Sequence, residues 1–330
     1  LSPSSAASDV YKRQRCFIGE MIIFAYRMRN FMDRLNFAAI DIGSNAVRLL
    51  IKGIYPGESV SDLSKVFIVR VPLRLGQDTF TKGRISTEKT EKLLRLMHAF
   101  SQLMQVYNVL SYRACATSAM RDSSNGADIV RYISERSGIN IEIINGLEEA
   151  RIVYDSHIVD ELEQEGDFIY VDVGGGSTEI SIISDRSLLQ SQSYNIGTVR
   201  ILNKKLSRSE LFRMYRDLKR LKETYRHISI IGSGGNINKL HHLAGVSARE
   251  PLTVERLLTL RNELNSYSIV ERIDRFALKP DRADVIIPAA DIYLQIATHI
   301  GAREIWVPTI GIVDGIIYSL CSDYLKEKEN

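Results

Sequence analysis

The sequence predicts an α/β protein built from two related domains with a cleft between them, and three observations support this prediction. The chain has 330 residues, which is enough for two domains of about 150 residues each. It contains an internal repeat, in which residues 38–51 correspond to residues 169–182 at an offset of 131 residues. After each copy of the repeat, strand-like and helix-like segments alternate, as is typical of α/β folds.

Each copy of the repeat has the pattern of a β-hairpin. An apolar strand ends in Asp, an apolar residue and Gly, a short turn of small and polar residues follows, and a second apolar-rich strand completes the pattern. An offset this large indicates duplicated domains rather than a solenoid, whose units are much shorter. We therefore expect a first domain over residues 36–160 and a second over residues 161–330.

The remaining elements follow from residue type and spacing. Runs rich in Val and Ile predict strands, and apolar residues at helical spacing predict helices. In the first half we expect strands at 66–71, 111–116 and 139–144 and helices at 86–106, 127–137 and 148–158. In the second half we expect a hairpin at 168–173 and 179–184, strands at 227–231 and 304–307, and helices at 207–226, 254–266, 268–276, 283–299 and 311 to about 326.

Residues 1–35 differ from the rest of the chain in charge. They hold six basic and three acidic residues and so carry the whole net charge of +3. The neutral remainder argues against a broad nucleic-acid surface, although a locally basic cleft can still bind a polyanion. We expect residues 1–35 to be a non-native or disordered extension, with a natural start near Met32. The alternative is a basic arm that touches a membrane or a polyanion.

The bulk composition indicates a globular protein of a reducing compartment. Hydrophobic residues make up 45% of the chain and charged residues 25%. The three cysteines, Cys16, Cys115 and Cys321, are far apart and form no Cys-x-x-Cys motif. No segment has the length and apolar character of a membrane span. We therefore expect a cytoplasmic location.

Two turns carry residue types that suit phosphate. Residues 41–45 read Asp-Ile-Gly-Ser-Asn, in which Gly lets several N–H groups turn towards one anion. Residues 172–178 read Asp-Val-Gly-Gly-Gly-Ser-Thr. A structural turn does not need three consecutive glycines, so close approach of a ligand to bare backbone explains them better. No Gly-Lys-Ser/Thr follows, which excludes a Walker loop.

The repeat also pairs two carboxylates. Asp41 and Asp172 follow apolar strands at equivalent positions, and they approach one another if the two turns face a common cleft. Two carboxylates repel, and Mg²⁺ between them would remove the repulsion. The residues therefore predict a phosphate-binding cleft with Mg²⁺ as its cofactor.

Seven motifs, in this order, resemble those of the exopolyphosphatase / guanosine pentaphosphate phosphohydrolase (Ppx/GppA) family, in its short form. This family is part of the superfamily of sugar kinases, Hsp70 and actin. The motifs lie at residues 39–49, 116–122, 144–151, 172–179, 195–200, 232–235 and 282–284. The resemblance implies two ribonuclease H-like domains and an exopolyphosphatase, a phosphoric anhydride hydrolase acting on polyphosphate or guanosine pentaphosphate.

The resemblance also implies roles for individual residues. Glu149 matches the general base, and Asp41 and Asp172 match carboxylates that position the metal and the attacking water; all three are expected to ligate Mg²⁺. The phosphate-binding residues are expected to be Gly43, Ser44, Asn45, Arg48, Ser118, Arg121, Gly174, Gly175, Gly176, Ser177 and Thr178.

Three positions depart from the family pattern and leave the substrate preference open. Ala46 stands where Ser is usual, Val313 where Arg is usual, and Asn236 where Thr is common. The expected ligands are inorganic polyphosphate or guanosine pentaphosphate and tetraphosphate, with no nucleic acid and no membrane. Homodimers are common among such enzymes, which leads us to expect one here.

Two other functions stay open. A kinase of the same superfamily would bind ATP near residues 232–235, a segment that also fits a plain strand-to-helix turn. A non-catalytic sensor would bind guanosine tetraphosphate in the same cleft. Without the resemblance, Glu149 would be interpreted as part of an exposed first helical turn. Arg282 and Asp284 fit a structural ion pair better than ligand contacts.

Overall fold

The computed structural model describes residues 34–155, 166–225, 228–247, 249–308 and 310–329 of the chain. Two β-sheets with helices packed against them form the fold, which confirms the predicted α/β class. The extension expected over residues 1–35 lies outside the described residues as far as residue 33, and Leu35 already begins the first strand. The expected domain boundary at residue 160 also lies outside them, and the division stays a prediction.

In the described residues the first sheet contains five strands, and five α-helices lie between or directly after these strands in the chain. The strands are β1 (Leu35–Ile42), β2 (Val47–Ile54), β3 (Ser64–Val71), β4 (Val109–Ala116) and β5 (Ile141–Ile143). The helices are α1 (Leu75–Lys82), α2 (Thr87–Val106), α3 (Ser118–Arg121), α4 (Gly126–Ser137) and α5 (Gly146–Tyr154). The strand order is β3-β2-β1-β4-β5, with antiparallel pairing as far as β1 and parallel pairing beyond it.

The second sheet contains six strands. They are β6 (Asp167–Val173), β7 (Thr178–Ser184), β8 (Ser187–Tyr194), β9 (Ile228–Ser233), β10 (Leu252–Thr253) and β11 (Glu304–Trp306). The helices are α6 (Thr198–Leu202), α7 (Arg208–Thr224), α8 (Gly235–Leu243), α9 (Val254–Asn265), α10 (Ile269–Arg275), α11 (Pro280–Ala283), α12 (Ile286–Ile300) and α13 (Ile312–Glu329). The strand order is β10-β11-β9-β6-β7-β8.

The sequence repeat corresponds to a repeat in the structure. The strands β8-β7-β6-β9-β11 have the same order and pairing directions as β3-β2-β1-β4-β5, and β10 is an addition at the edge. The two hairpin turns also match, because the Gly43 amide donates to Ala46 O at 3.1 Å and the Gly174 amide to Ser177 O at 3.0 Å. The ends of β1 and β6 are therefore equivalent places in the two sheets.

Three main apolar clusters form the interior. One lies on the outer face of each sheet, and the third joins the two sheets through α13. This last helix packs against β1, β2, β4 and α5, although we expected it in the second domain. Its Ile316 and Cys321 share the joining cluster with Phe37 of β1 and Tyr170 of β6. The two halves of the chain thus share buried core in addition to a cleft.

Most of the expected elements are present within a few residues of their predicted bounds, but the strands β8 and β10 and the helices α1, α3, α6, α8 and α11 were not expected. The β8 sequence, Ser-Leu-Leu-Gln-Ser-Gln-Ser-Tyr, is largely polar because this strand lies at the edge of its sheet. The α1 sequence lacks a clear apolar period. None of the helices in the described ranges combines the length and apolar character required to cross a lipid bilayer.

Candidate active site

A cavity of about 120 Å³ lies where the ends of β1 and β6 meet between the two sheets. Three acids line it: Asp41 near the end of β1, Asp172 near the end of β6, and Glu149 on α5. The expected phosphate-binding residues that also line this cavity are Gly43, Ser44, Asn45, Arg48, Ser118, Gly174, Gly175 and Ser177. The fold therefore brings together residues from both hairpins, α3 and α5.

Three expected phosphate-binding residues lie behind this lining. Arg121 donates from Nη1 to Ile144 O at 2.8 Å, next to the start of α5. Thr178 is buried and donates from Oγ1 to Ile196 O at 2.5 Å. Gly176 packs so closely against Ser118 that a Cβ there would overlap the hydroxyl. These residues support the site in this structure, and their contact with phosphate stays a prediction.

The triple-glycine turn borders the cavity through Gly174 and Gly175, and its hydrogen bonds to α6 fix the direction of its amides. The carbonyls of Gly174 and Gly175 accept hydrogen bonds from the amides at the start of α6, at 3.1 Å from Thr198 and 2.8 Å from Val199. In a trans peptide the N–H points opposite to the C=O, so the amides of Gly175 and Gly176 point away from α6. Neither amide donates a hydrogen bond within the described part of the chain. Such an array of free amides binds anions.

The three acids of the cavity are half-buried, and burial has the largest influence on the pKa of each. Burial raises the pKa of Asp172 to about 6, with a further increase from Asp41, and Arg48 opposes the change. Burial also raises the pKa of Asp41, although Arg48 and Arg70 lower it. The pKa of Glu149 is well above its usual range because of burial and then because of neighbouring carboxylates.

Glu179 is a further buried acid of the site that we did not single out from the sequence. It lies on β7, and its charge acts on Glu149 more strongly than those of the two aspartates. Burial raises the pKa of Glu179 to about 7, with a further increase from Asp172, while the hydroxyls of Ser177 and Ser193 lower it. A glutamate between buried residues of an apolar strand was the available signal, because such a charge is costly without a function.

The acids fit a hard divalent cation. The Oε2 atoms of Glu149 and Glu179 are buried and accept no hydrogen bond from the described residues. In those residues, no three or more His, Cys, Asp or Glu side chains lie close enough together to hold a metal ion, so the acids do not form a site of three protein ligands. Mg²⁺ usually keeps several waters and takes only one or two carboxylates together with substrate phosphates. The donor set is therefore that of a site completed by substrate.

Three arginines share the cavity with the acids. Arg48, Arg70 and Arg282 all line the cavity, and Arg48 Nη1 lies 4.0 Å from Asp41 Oδ2. The ion pair expected between Arg282 and Asp284 does not form, because Asp284 faces α1 and pairs with Arg74 Nη2 at 2.5 Å. The Nε of Arg282 is buried and makes no hydrogen bond in the described ranges. These features suit an anionic ligand.

A second cavity of about 540 Å³ continues from the first. Arg48, Arg70 and Arg282 border both cavities. Lys52 and Lys65 add positive charge, and the acid on its wall, Asp314, is paired with Lys52 Nζ at 2.6 Å. Apolar side chains form the rest of this wall: Leu50, Leu63, Ile68, Ile310 and Val313. The combined space suits an extended polyanion with room for an apolar group.

The third glycine motif closes the site from the second sheet. Gly234 has a φ of +102°, and a Cβ there would lie 2.9 Å from Asp172 Oδ1. Gly234, Gly235 and Asn236 line the first cavity, and α8 begins at Gly235. This segment thus acts as a strand-to-helix turn and also borders the site.

Comparison with known proteins gives a consistent result. A profile of the Ppx/GppA phosphatase family matches residues 54–323. Exopolyphosphatase 2 of Mycobacterium tuberculosis is 29% identical over 317 residues, which cover 86% of this chain and 98% of that protein. A Ppx/GppA family member from Aquifex aeolicus has a TM-score of 0.70 at 26% identity, covering 89% of this chain and 99% of that chain. An exopolyphosphatase from Cytophaga hutchinsonii shares the fold, with a TM-score of 0.75 at 23% identity and coverage of 87% and 98%.

Proposed function

The chain belongs to the Ppx/GppA phosphatase family, and from this premise we propose that it hydrolyses the terminal phosphoanhydride bond of inorganic polyphosphate. Guanosine pentaphosphate has a terminal bond of the same type and is the second candidate substrate. The proposal depends above all on the convergence of Asp41, Asp172 and Glu149 on one cavity beside a turn with free amides.

The two hairpin turns would bind the terminal phosphate from both sides. The amides of Gly175 and Gly176 are available on one side. On the other side, Ser44 Oγ and Ser118 Oγ are joined by a hydrogen bond of 2.8 Å and line the same cavity. Fixed donors of this kind need no rearrangement when negative charge grows on the phosphate oxygens, and this is the main source of catalysis in phosphoryl transfer.

Glu149 would act as the general base. Its raised pKa makes its carboxylate a stronger proton acceptor than an exposed glutamate. It accepts a proton from the attacking water while the water oxygen bonds to the terminal phosphorus. The bond between that phosphorus and the bridging oxygen breaks, which gives orthophosphate and a chain shorter by one phosphate.

One or two of the carboxylates of Asp41, Asp172 and Glu149, together with substrate phosphates, would hold Mg²⁺. When bound, the ion supplies positive charge to the phosphate oxygens. The carboxylates themselves would orient the water, because they are held at the ends of β1 and β6 and near the start of α5. Such carboxylates repel a polyanion unless their charge is neutralised, so we expect activity to require the ion.

The second cavity would bind the part of the substrate behind the cleaved bond. Arg48, Arg70 and Arg282 border both cavities, so consecutive phosphates can meet a continuous row of guanidinium groups. The apolar wall, which includes Leu63 and Ile68, is the observation that favours a nucleoside polyphosphate as the second candidate. The kinase alternative is set aside because the family is a family of hydrolases.

Orthophosphate release from polyphosphate in the presence of Mg²⁺ tests the proposal. Glu149→Gln is expected to lower kcat by about 10² to 10⁴ because it removes the general base. Glu148→Gln is the matched control, since Glu148 pairs with Arg113 at 2.6 Å on the outer side of α5. Equal rates for the unmodified chain and Glu149→Gln would contradict the base assignment, and tight binding of guanosine tetraphosphate without any turnover would favour a sensor.

A further inference from the structure

Arg200 joins the glycine turn to the opposite side of the cleft. It lies on α6, and its Nε donates to Gly176 O at 2.9 Å. Its Nη2 donates to Asp122 Oδ2 at 2.5 Å, and Asp122 follows α3 in the first half of the chain. The guanidinium also lies over the ring of Phe80 on α1, 4.1 Å from its centroid. One side chain thus makes three contacts, two of them to the other half of the molecule.

The contact with Gly176 fixes the direction of an amide. Because the carbonyl of Gly176 accepts from Arg200, the amide of Ser177 in the same peptide points away from Arg200, and Ser177 itself lines the cavity. The main chain at the start of α6 orients the two preceding amides in the same manner. Arg200 therefore completes the orientation of the turn, while its ion pair holds that turn at a fixed distance from α3.

The ion pair extends towards the helix that carries Glu149. Asp122 follows Arg121 directly, and Arg121 donates to Ile144 O just before α5. The path from the glycine turn to α5 therefore runs through Arg200, Asp122, Arg121 and Ile144. The side chain of Arg200 is only 14% exposed, so solvent screens its ion pair less than that of a surface pair.

We propose that Arg200 is a positioning residue that sets phosphate affinity by holding the glycine turn in register with the first half of the molecule. This inference rests on the proposed function. Lysine cannot replace the side chain, because one ammonium group cannot reach Gly176 O and Asp122 together and has no planar face for Phe80.

Binding of tripolyphosphate, measured by calorimetry with Mg²⁺ in a Glu149→Gln background, tests this role without turnover. Arg200→Lys and Asp122→Asn are each expected to weaken binding by about tenfold or more, the effect of losing a charged hydrogen bond. In the chain with Glu149 intact, the same factor should appear in kcat/KM. Arg208→Lys is the matched control, because Arg208 is an exposed arginine at the start of α7.

The outcomes separate this inference from the proposed function. Affinity and kcat/KM equal to those of the parent in both variants would overturn the role of Arg200, even if polyphosphate is hydrolysed. Weakened tripolyphosphate binding by a chain that hydrolyses no polyphosphate would support Arg200 and contradict the hydrolase proposal. Thermal unfolding shows which variants are folded. If the Arg200→Lys variant is not folded, the Asp122→Asn variant tests the role of Arg200 instead, because it leaves the contact between Arg200 and Gly176 in place. A parent that binds no tripolyphosphate would overturn both.

Discussion

Ser193 holds one carboxylate oxygen of the buried Glu179. Its Oγ donates to Glu179 Oε1 at 2.8 Å. Its own main chain is fixed as well, because Arg213 Nη2 donates to Ser193 O at 2.6 Å. Gly146, at the start of α5, lies so close that any Cβ there would overlap the Ser193 side chain. The edge strand β8 therefore orients an acid that lies behind the catalytic cavity.

We expect Ser193→Ala to lower kcat by about tenfold with little change in KM, because a lost hydrogen bond to a charged group has about this effect. The hydroxyl lowers the pKa of Glu179. Without the Ser193 hydroxyl, a larger fraction of Glu179 is protonated at neutral pH. A neutral Glu179 raises the pKa of Glu149 less than a charged one does, so Glu149 becomes a weaker base. The acidic limb of the pH profile of kcat, which reports loss of the proton from Glu149, should therefore move to lower pH.

Ser191→Ala is the control for this change. Ser191 lies two residues earlier on the same face of β8, and its Oγ bonds to Ser181 Oγ at 2.8 Å rather than to an acid. Identical pH profiles for the Ser193 and Ser191 variants would show that Ser193 has only a structural role.

At the scale of single residues, the sequence identified members of the site where a motif occurs twice. Asp41 and Asp172 were visible because they occupy matching positions in two hairpins. Glu179 was not singled out, because its importance depends on the neighbours that α5 brings to it. The sequence also could not predict that Arg282 lines the cavity, since this depends on which side of the short helix α11 faces the cleft.

At the scale of elements, α13 supports the helix that carries Glu149. Gly315 on α13 lies against the main chain of α5, and a Cβ there would overlap the carbonyl of Ile152. Backbone cannot move aside as a flexible side chain can, so the two helices approach this closely only because residue 315 is glycine.

Gly315→Ala is therefore expected to lower the free energy of unfolding by about 1–3 kcal/mol, the usual cost of overpacking. It should also reduce kcat, because α5 must shift. Gly311→Ala is the control for stability, since its Cβ would meet only Ser233 Oγ, at 3.8 Å. Urea unfolding of the two variants measures the difference, and equal midpoints would contradict the close contact between α13 and α5.

Helices and strands could be predicted from the sequence where the burial of one or both of their faces produces a regular pattern of apolar residues. Both hairpins and the long helix α2 show such patterns. The strand β8 does not, because it lies at the edge of its sheet and its polar residues carry little period. It pairs with β7 in a hairpin whose turn is Asp185-Arg186, a sequence that lacks the Gly or Asn typical of such turns.

At the scale of the whole molecule, the duplication of a five-stranded unit could be predicted from one repeated motif, but the closure of the molecule could not. The packing of α13 against the first sheet depends on contacts between apolar residues that are far apart in the sequence. This arrangement buries Glu179 and partly buries Asp41, Glu149 and Asp172 between the two sheets, and their desolvation is a cost to folding in the absence of a cation.

That cost gives the stability of the metal-free protein a defined pH dependence. In the unfolded chain Asp172 loses its proton near its ordinary pKa of 3.8, whereas in the folded protein it holds it until about pH 6, and Glu179 holds its own until about pH 7. Between these values the folded state binds more protons than the unfolded state, so the free energy of unfolding falls as pH rises. A shift of about two pKa units corresponds to roughly 3 kcal/mol for Asp172.

We therefore expect the protein in EDTA to unfold at lower temperature at pH 8 than at pH 5, and Mg²⁺ to raise that temperature at pH 8, because a ligand that binds only the folded state stabilises it. Asp172→Asn separates this effect from the other titrating groups. The variant lacks the buried charge, so its unfolding free energy should fall less steeply with pH and respond less to Mg²⁺. The same pH slope in both proteins would mean that Asp172 is solvated or already neutralised in the folded state, and the four acids would then not form a site that waits for a cation.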